Sequence, residues 1–262
     1  MRLLPPSNVP QCVICFSISL PSRDAINAAT RNRVIERYLQ LFGEFQIPVS
    51  WGLGDLTAHD TVHHLRASDL PHEIALWSDA DWTSPTTSSE NVRRHLQRQL
   101  STAQTAGLDI ATLMLRGGMR FDRWDALVRG GISMVVSDRV ASADRRVKHP
   151  IKTLRFGLWE MQASLVLSDE GGRRSGFVMR RQIDRAMSGG GLCHVVLDDV
   201  LNADRQSLRT LESLLQHVAC RRNDGLLQVQ TISQIAVQLP SRRSSRCAQS
   251  ILRGKSSISR AA

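Results

Sequence analysis

Strand-type and helix-type segments alternate along almost the whole chain, and this alternation limits the possible folds more than any other feature. Short apolar runs at 13–19, 73–77 and 192–197 have the length and residue types of buried strands. Longer stretches at 89–106 and 204–222 repeat apolar residues every three or four positions, as helices do. Strands connected by helices are expected to run parallel with the helices outside them. The sequence therefore predicts an α/β fold, either a barrel or a doubly wound sheet.

The same patterns predict the remaining elements. Ser88 or Ser89 is a suitable N-cap for the helix at 89–106, and Gly107 is suited to end it. Gly189, Gly190 and Gly191 read as a turn, because no Lys-Ser/Thr pair follows them as in a phosphate-binding loop. Further strands are predicted at 47–51, 110–115, 132–136 and 226–231, with one or two edge strands within 151–168. Further helices are predicted at 31–45, 57–65, 123–129 and 180–187, and a short helix follows the last strand as far as residue 239.

The length of 262 residues and a hydrophobic fraction of 42% allow one large domain with a sizeable core. No run approaches the roughly 18 apolar residues that a membrane helix needs. Residues 1–11 are interrupted by three prolines and lack an apolar secretory stretch. We therefore expect a cytoplasmic protein with an N-terminal extension at 1–11, one barrel-type domain at 12–239 and a disordered basic tail at 240–262.

The net charge of +10 is concentrated in the tail. Residues 241–262 contain six Arg or Lys residues and no Asp or Glu, which leaves a net charge of +4 for residues 1–240. The basicity therefore does not indicate a DNA-binding domain. A contact between the tail and a polyanion or an acidic lipid is a possible partner interaction.

Cys12 and Cys15 form a C-x-x-C pair inside an apolar run. Residues three apart on a strand point to opposite faces of the sheet. The chain has five cysteines and no second pair at the spacing of a zinc site. We expect neither structural zinc nor a disulfide framework, and the two thiols should lie on opposite sides of the first strand.

Three longer strings carry a resemblance to a known family. They are RVIERYLQLFGEFQIPVSWGL at 33–53, PHEIALWSDAD at 71–81 and DGLLQVQTISQIA at 224–236. In order and spacing they resemble the first helix with the second strand, the HEIGSHSFSH segment and the closing G-x-L-x-V-x-T-M-x-E-I-A segment of the polysaccharide deacetylase (NodB homology) family. The resemblance spans about residues 12–238 and implies an irregular (β/α) barrel with its site at the carboxyl ends of the strands.

The resemblance also implies a chemistry, which is the removal of acetyl groups from amino sugars. In the family, one Asp and two His hold a divalent metal that activates water, a second Asp is the base and a late-strand His is the acid. The family's first-strand T-F-D-D falls here on residues 15–18. The base position is then Ser17, and a metal-ligand position is Ile18.

The other site positions are carried over in the same way. The two histidines of H-S-F-S-H fall on Trp77 and Asp81, so Asp81 alone of these two keeps a possible metal ligand. The arginine of the following strand falls on Arg116. The late-strand H-x-x-x-H falls on His194 and Asp198, which puts the catalytic-acid position at Asp198.

Tryptophans and carboxylates near the strand ends are further candidates. Trp77 and Trp82 are candidates for stacking on a sugar ring, although tryptophan is often simply buried. Asp79 and Asp81, together with the carboxylates at 198 and 199, are candidates for an oxygen-only site for a divalent metal. Solvated loop carboxylates are the favoured interpretation, and we expect no cofactor.

Three functions remain open from the sequence. The favoured one is a catalytically degenerate deacetylase-like protein that binds a sugar or a protein partner, because a hydrolytic metal needs about three protein ligands. The second is an active hydrolase of C–N bonds in acetylated amino sugars with a site rebuilt from Asp79, Asp81, His194 and Asp198. The third is a scaffold or regulatory module recruited through the basic tail.

Overall fold

Ten strands and seven helices make up the part of the chain described by a computed structural model. That part consists of residues 12–20, 28–78, 86–116, 124–140, 151–167, 172–188, 190–198, 200 and 204–239. The segment 1–11, the tail 240–262 and most connections that follow the carboxyl ends of the strands lie outside it. None of the described helices is long and apolar enough to cross a membrane.

The elements follow the predicted alternation. The strands are β1 Cys12–Leu20, β2 Ser50–Leu53, β3 Glu73–Ser78, β4 Thr112–Leu115, β5 Met134–Val140, β6 Ile151–Thr153, β7 Trp159–Ala163, β8 Leu165–Leu167, β9 Leu192–Leu197 and β10 Leu227–Val229. The helices are α1 Ala28–Glu44, α2 His59–Arg66, α3 Ser89–Thr105, α4 Trp124–Arg129, α5 Gly172–Ser188, α6 Arg205–Asn223 and α7 Ile232–Gln238.

The sheet is parallel except at one edge and curves into an irregular (β/α) barrel. Its strand order is β6-β7-β5-β4-β3-β2-β1-β9-β8, with β10 also paired to β1 and only β6 antiparallel to its partner among the described strands. Strands β7 and β8 are separated by Ser164 alone, yet β7 pairs with β5 and β8 pairs with β9. The chain therefore passes directly from β7, next to one end of the strand order, to β8, at the other end. The alternation is resolved as a barrel and not as an open doubly wound sheet.

Strand β1 shows how the barrel separates two apolar cores. Phe16 and Ile18, with the other even-numbered residues of the strand, belong to the large cluster between the sheet and the helices. Cys15 belongs to a smaller cluster in the barrel interior. Cys12 and Cys15 are thus in different clusters, as the strand periodicity predicts. Burial raises the pKa of the Cys12 thiol to about 11 and also raises the pKa of the Cys15 thiol, which disfavours the reactive thiolate form of both.

Local capping signals place α3 where the sequence predicts it. The Ser88 hydroxyl accepts a hydrogen bond from the backbone N–H of Asn91 at 3.3 Å. Gly107, with φ of +66°, adopts the left-handed conformation that follows a helix end and that glycine tolerates best. Both signals are local, so the sequence alone is enough to identify them.

Several boundaries differ from the predicted ones by a few residues, and two of the differences have a clear local cause. Strand β2 begins at Ser50 and not at 47, because the Val49 N–H donates to His72 Nδ1 (3.1 Å) and not to a strand neighbour. Helix α5 begins at Gly172, eight residues before the predicted start. The glycine at 176 weakens the helical signal there, but it lets α5 approach α6 closely: a Cβ at this position would lie 3.2 Å from Thr210 Cγ2.

Helix α7 is anchored to the strands by a buried carboxylate. The Ser50 hydroxyl donates to Glu73 Oε2 at 2.6 Å and accepts from the backbone N–H of Ile232 at 3.0 Å. Glu73 Oε2 also accepts from the backbone N–H of Ser233 at 2.9 Å. The first N–H groups of a helix have no partner within the helix, and a carboxylate near them is stabilised by the helix dipole. Ile232 and Ile235 of the same helix complete the interior cluster.

Replacing Glu73 with Ala should therefore weaken the closure of the barrel. The substitution leaves the Ser50 hydroxyl and the Ser233 N–H without their acceptor, which should lower the free energy of unfolding by about 3 kcal/mol. Urea denaturation followed by tryptophan fluorescence measures this change. Glu212→Ala, which removes an exposed carboxylate of α6, is the control and should change the value little. Equal effects of the two substitutions would contradict the anchoring role.

Candidate functional site

A hydrogen-bonded serine–histidine pair lies inside the barrel at the positions that the sequence singles out. Ser17 Oγ of β1 is 2.8 Å from His194 Nε2 of β9. His194 Nδ1 is 3.3 Å from the backbone carbonyl oxygen of Gln162. A carbonyl oxygen only accepts, so Nδ1 carries the hydrogen and Nε2 accepts the hydroxyl proton of Ser17. The pair thus has a defined direction, from the Ser17 hydroxyl through the imidazole to the Gln162 carbonyl.

Burial sets the charge of this pair. His194 is 0% exposed and Ser17 is 2% exposed. Removal from water lowers the pKa of His194 to about 4, and the hydrogen bond to the Gln162 carbonyl opposes this only in part. His194 is therefore a neutral acceptor at physiological pH. The arrangement polarises the Ser17 hydroxyl, but both side chains are enclosed.

Ile18 faces away from the interior. It is 0% exposed and packs in the cluster between the sheet and the helices, next to residues such as Phe16. Strand β1 continues in regular pairing with β2 through Leu20, so its side chains still alternate at this point. A donor atom placed at position 18 would point at the helix layer in this register.

Apolar side chains fill another part of the barrel interior. Trp77, predicted to stack on a sugar, is 8% exposed and packs with Ala75, Met114 and Met134. A Cβ added at Gly52 would come within 2.7 Å of Met114 Sδ and 3.1 Å of Trp77 Cβ. Trp77 is therefore part of the packed interior, and its stacking on a ligand stays a prediction.

The remaining predicted site residues fall into two groups. Arg116 follows β4 and Asp198 follows β9; both are exposed and lie at the carboxyl edge of the sheet. Their backbone N–H groups extend the strand ladders, to the Ser78 carbonyl (3.2 Å) and the Leu167 carbonyl (3.0 Å) respectively. Asp79, Asp81 and Trp82 lie outside the described residues.

The described residues at the base position and at the metal-ligand position of the first strand, as the resemblance assigns them, do not fit a metal site. Within the described ranges, no three His, Cys, Asp or Glu side chains come together as a metal-binding group. The Ser17 hydroxyl is committed to His194, and the Ile18 side chain has no donor atom and faces the helices. We derive no chemical step through a metal at these residues.

Some contacts of the interior carried no recognisable sequence signal. The Gln162 carbonyl meets His194 because the chain crosses from β5 to β9 near this residue, and that crossing depends on long-range register. The Cys15 Sγ–Met161 Sδ contact of 3.7 Å depends on the same crossing. Glu73 did carry a signal, since a carboxylate within the predicted strand 73–77 must find partners if it is buried.

The burial of His194 predicts a stability that depends on pH. Its pKa is about 4 in the folded protein and 6.5 when exposed, so the unfolded chain binds more protons between these values. The free energy of unfolding should be highest above pH 6.5 and fall as the pH is lowered towards 4. The titration of His194 should account for a total loss of about 3 kcal/mol. Burial lowers the pKa of His72 to about 4 as well and adds a similar loss.

Urea denaturation at a series of pH values between 7 and 4 measures this effect. His194→Gln, and separately His72→Gln, should each flatten the pH dependence by about 3 kcal/mol over this interval. Comparing slopes, and not absolute stabilities, separates the titration from any loss of packing. Curves for wild type and variants that run parallel over the whole interval would show that these imidazoles do not titrate as described.

Comparison with known proteins identifies the fold. The sequence matches no protein-family model and no curated protein sequence. In structure, the chain is similar to a protein of Mycobacterium smegmatis described as a polysaccharide deacetylase, with 16% identity, a TM-score of 0.60 and coverage of 93% of this chain and 96% of the other. It is also similar to the allantoinase Puue, with 13% identity, a TM-score of 0.64 and coverage of 88% and 91%.

A further similar structure is a CE4 family pseudoenzyme from Bacillus anthracis. The identity is 15%, the TM-score is 0.50, and the similarity covers 86% of this chain and 65% of the other. A variant of that pseudoenzyme with restored enzymatic activity has the same TM-score. At these identities the similarity establishes the fold. The chain has the barrel fold of the polysaccharide deacetylases, as its three sequence strings predict.

Proposed function

We propose that this chain is a deacetylase-like protein that has lost metal-dependent hydrolysis and uses its barrel to bind a carbohydrate. The observation that carries the proposal is the buried Ser17–His194 hydrogen bond at the base position. A deacetylase base must accept a proton from water. Here the side chain at that position is a hydroxyl, and it donates its own proton to a neutral imidazole.

The orientation of β1 supports the same conclusion. Ile18, at the metal-ligand position, is part of the core between the sheet and the helices. Two of the family's functional positions are thus used for packing and internal hydrogen bonding. A single reverse substitution would not rebuild the site, because position 18 points away from position 17.

Solved structures with this fold supply precedents. One is a CE4 family pseudoenzyme, and a variant of it has restored activity. The M. smegmatis protein is described as a polysaccharide deacetylase, which supports a carbohydrate as the ligand class. We also propose a cytoplasmic location, because Cys12, Cys15 and Cys193 are free, buried thiols of the kind that reducing compartments maintain.

The serine–histidine pair itself favours a second candidate function, ester hydrolysis without a metal. Ser17 Oγ would attack the ester carbonyl while His194 Nε2 takes its proton and passes it to the leaving alcohol, and water would then hydrolyse the acyl-serine. The enclosure of both side chains argues against it. Labelling by a fluorophosphonate that is lost in Ser17→Ala would support this hydrolase; an unlabelled protein is the result that we expect.

The main proposal predicts binding without chemistry. Purified protein should release no acetate from oligomers of β-1,4-linked N-acetylglucosamine above the buffer blank, with or without added Zn²⁺. It should bind these oligomers in calorimetry, and EDTA should leave the affinity unchanged, because no metal takes part in binding.

Two variants make the test decisive. Ser17→Ala should change neither the absence of acetate release nor the affinity for the oligomers. The Ser17–His194 pair, as we propose, is an internal hydrogen bond and does not contact the ligand. If wild type releases acetate in a Zn²⁺-dependent way and Asp81→Ala abolishes the release, the chain is an active metal hydrolase with a rebuilt site. If the oligomers neither react nor bind, the carbohydrate part of the proposal is wrong.

A further inference from the structure

Basic charge is concentrated in three helices that follow neighbouring strands. Helices α1, α5 and α6 follow β1, β8 and β9, which are adjacent in the sheet. By sequence these helices contain twelve arginines and four acidic residues, a net charge of +8. Residues 1–240 have a net charge of only +4, so the rest of that range is net negative. This uneven distribution does not involve the tail.

One face of α5 combines this charge with exposed apolar side chains. Phe177 is 63% exposed and Val178 is 48% exposed, and Arg181 and Arg185 are exposed one and two turns further along. Residues three to four apart share a helix face. We call these four residues the α5 stripe.

The single acidic residue of α5 is engaged by the neighbouring helix. Asp184, the single acidic residue of α5, is 3.0 Å from His217 Nε2 and 3.4 Å from Arg221 Nε, so it is engaged by α6. On the opposite face Met179 and Ile183 are buried against the protein. The helix is thus fixed by one face and presents the α5 stripe outward.

We propose that the α5 stripe is a docking surface for an anionic lipid bilayer. A bilayer offers negative headgroups to Arg181 and Arg185 and, directly beneath them, an apolar boundary for Phe177 and Val178. Arginine side chains suit this position because their apolar stems extend while the guanidinium stays at the headgroups. The contact is peripheral, since no described helix is able to span a membrane.

The composition of the stripe favours a bilayer over a nucleic acid. Single-stranded nucleic acids are bound through planar rings that stack on bases. Phe177 is able to stack in this way, but the aliphatic Val178 beside it is not. A lipid headgroup boundary accepts both residues, so it accounts for the whole stripe.

Other exposed residues of the chain provide matched controls. Phe156 is 68% exposed and Val237 is 85% exposed, and neither lies on the basic helices. Arg94 and Arg98 are exposed on α3 at the spacing of Arg181 and Arg185. Substitution of these residues makes the same chemical change away from the α5 stripe.

Sedimentation of the full chain with vesicles tests the proposal. Vesicles of phosphatidylcholine with phosphatidylserine should bind the protein in a salt-sensitive way, and vesicles of phosphatidylcholine alone should bind it much less. Phe177→Ser with Val178→Ser should reduce binding at least fivefold, and Arg181→Glu with Arg185→Glu roughly tenfold or more. Phe156→Ser with Val237→Ser, and Arg94→Glu with Arg98→Glu, should have much smaller effects.

Each outcome bears on the proposal. Thermal melting of every variant is recorded, so that a loss of folding is not counted as a loss of binding. If stripe and control variants reduce binding equally, or if the Phe177 and Val178 substitutions have no effect, adhesion depends on general charge or the tail and the proposal fails. If the stripe variants weaken binding of a single-stranded oligonucleotide and leave vesicle binding intact, the surface serves nucleic acid and the bilayer proposal is overturned.

Discussion

The side chains of strand β1 alternate between the helix layer and the barrel interior, and the barrel and its site both depend on this alternation. The strand pairs with β2, β9 and β10, more partners than any other described strand has. Every second side chain, including Phe16 and Ile18, is buried against the helix layer, and Cys15 and Ser17 face the interior. A one-residue change of register would exchange these sets and turn Phe16 and Ile18 from the helix layer to the interior. The hydrophobic pattern thus fixes which residues are able to take part in chemistry.

Desolvation then decides what the interior residues do. A buried imidazole without a hydrogen-bond partner is costly, and His194 avoids this cost by using both ring nitrogens, one towards Ser17 and one towards the Gln162 carbonyl. A carboxylate at position 17 would instead favour the protonated imidazole and bring two charges into a dry interior. Serine at this position is therefore the residue that agrees with a neutral, enclosed histidine. The same reasoning applies at the anchor of α7, where the buried Glu73 Oε2 accepts hydrogen bonds from a hydroxyl and a backbone N–H.

Local signals made most of the fold predictable, and long-range contacts account for the rest. The strand at β1, the caps of α3 and the α/β alternation depend on residues within one or two turns of each other, so the sequence contains them in full. The choice of a barrel over an open sheet came only from the resemblance, because it depends on the passage of the chain from β5 to β9 at Ser164. Of the candidate site, Ser17 and His194 were identified singly, and their contact was not foreseen. No sequence pattern identifies the Gln162 carbonyl as the partner of His194, since every residue has a backbone carbonyl.

A barrel that has lost hydrolytic chemistry, as we propose for this chain, has different requirements from an enzyme of the same fold. An active site needs polar groups held near solvent, and such groups reduce stability. Here Trp77 and Met114 fill the space beside Gly52 so closely that a single added methyl group would meet both. Phe177 differs from the other exposed apolar residues because it lies beside Val178 and two arginines on one helix face, and the bilayer contact that we propose would cover it.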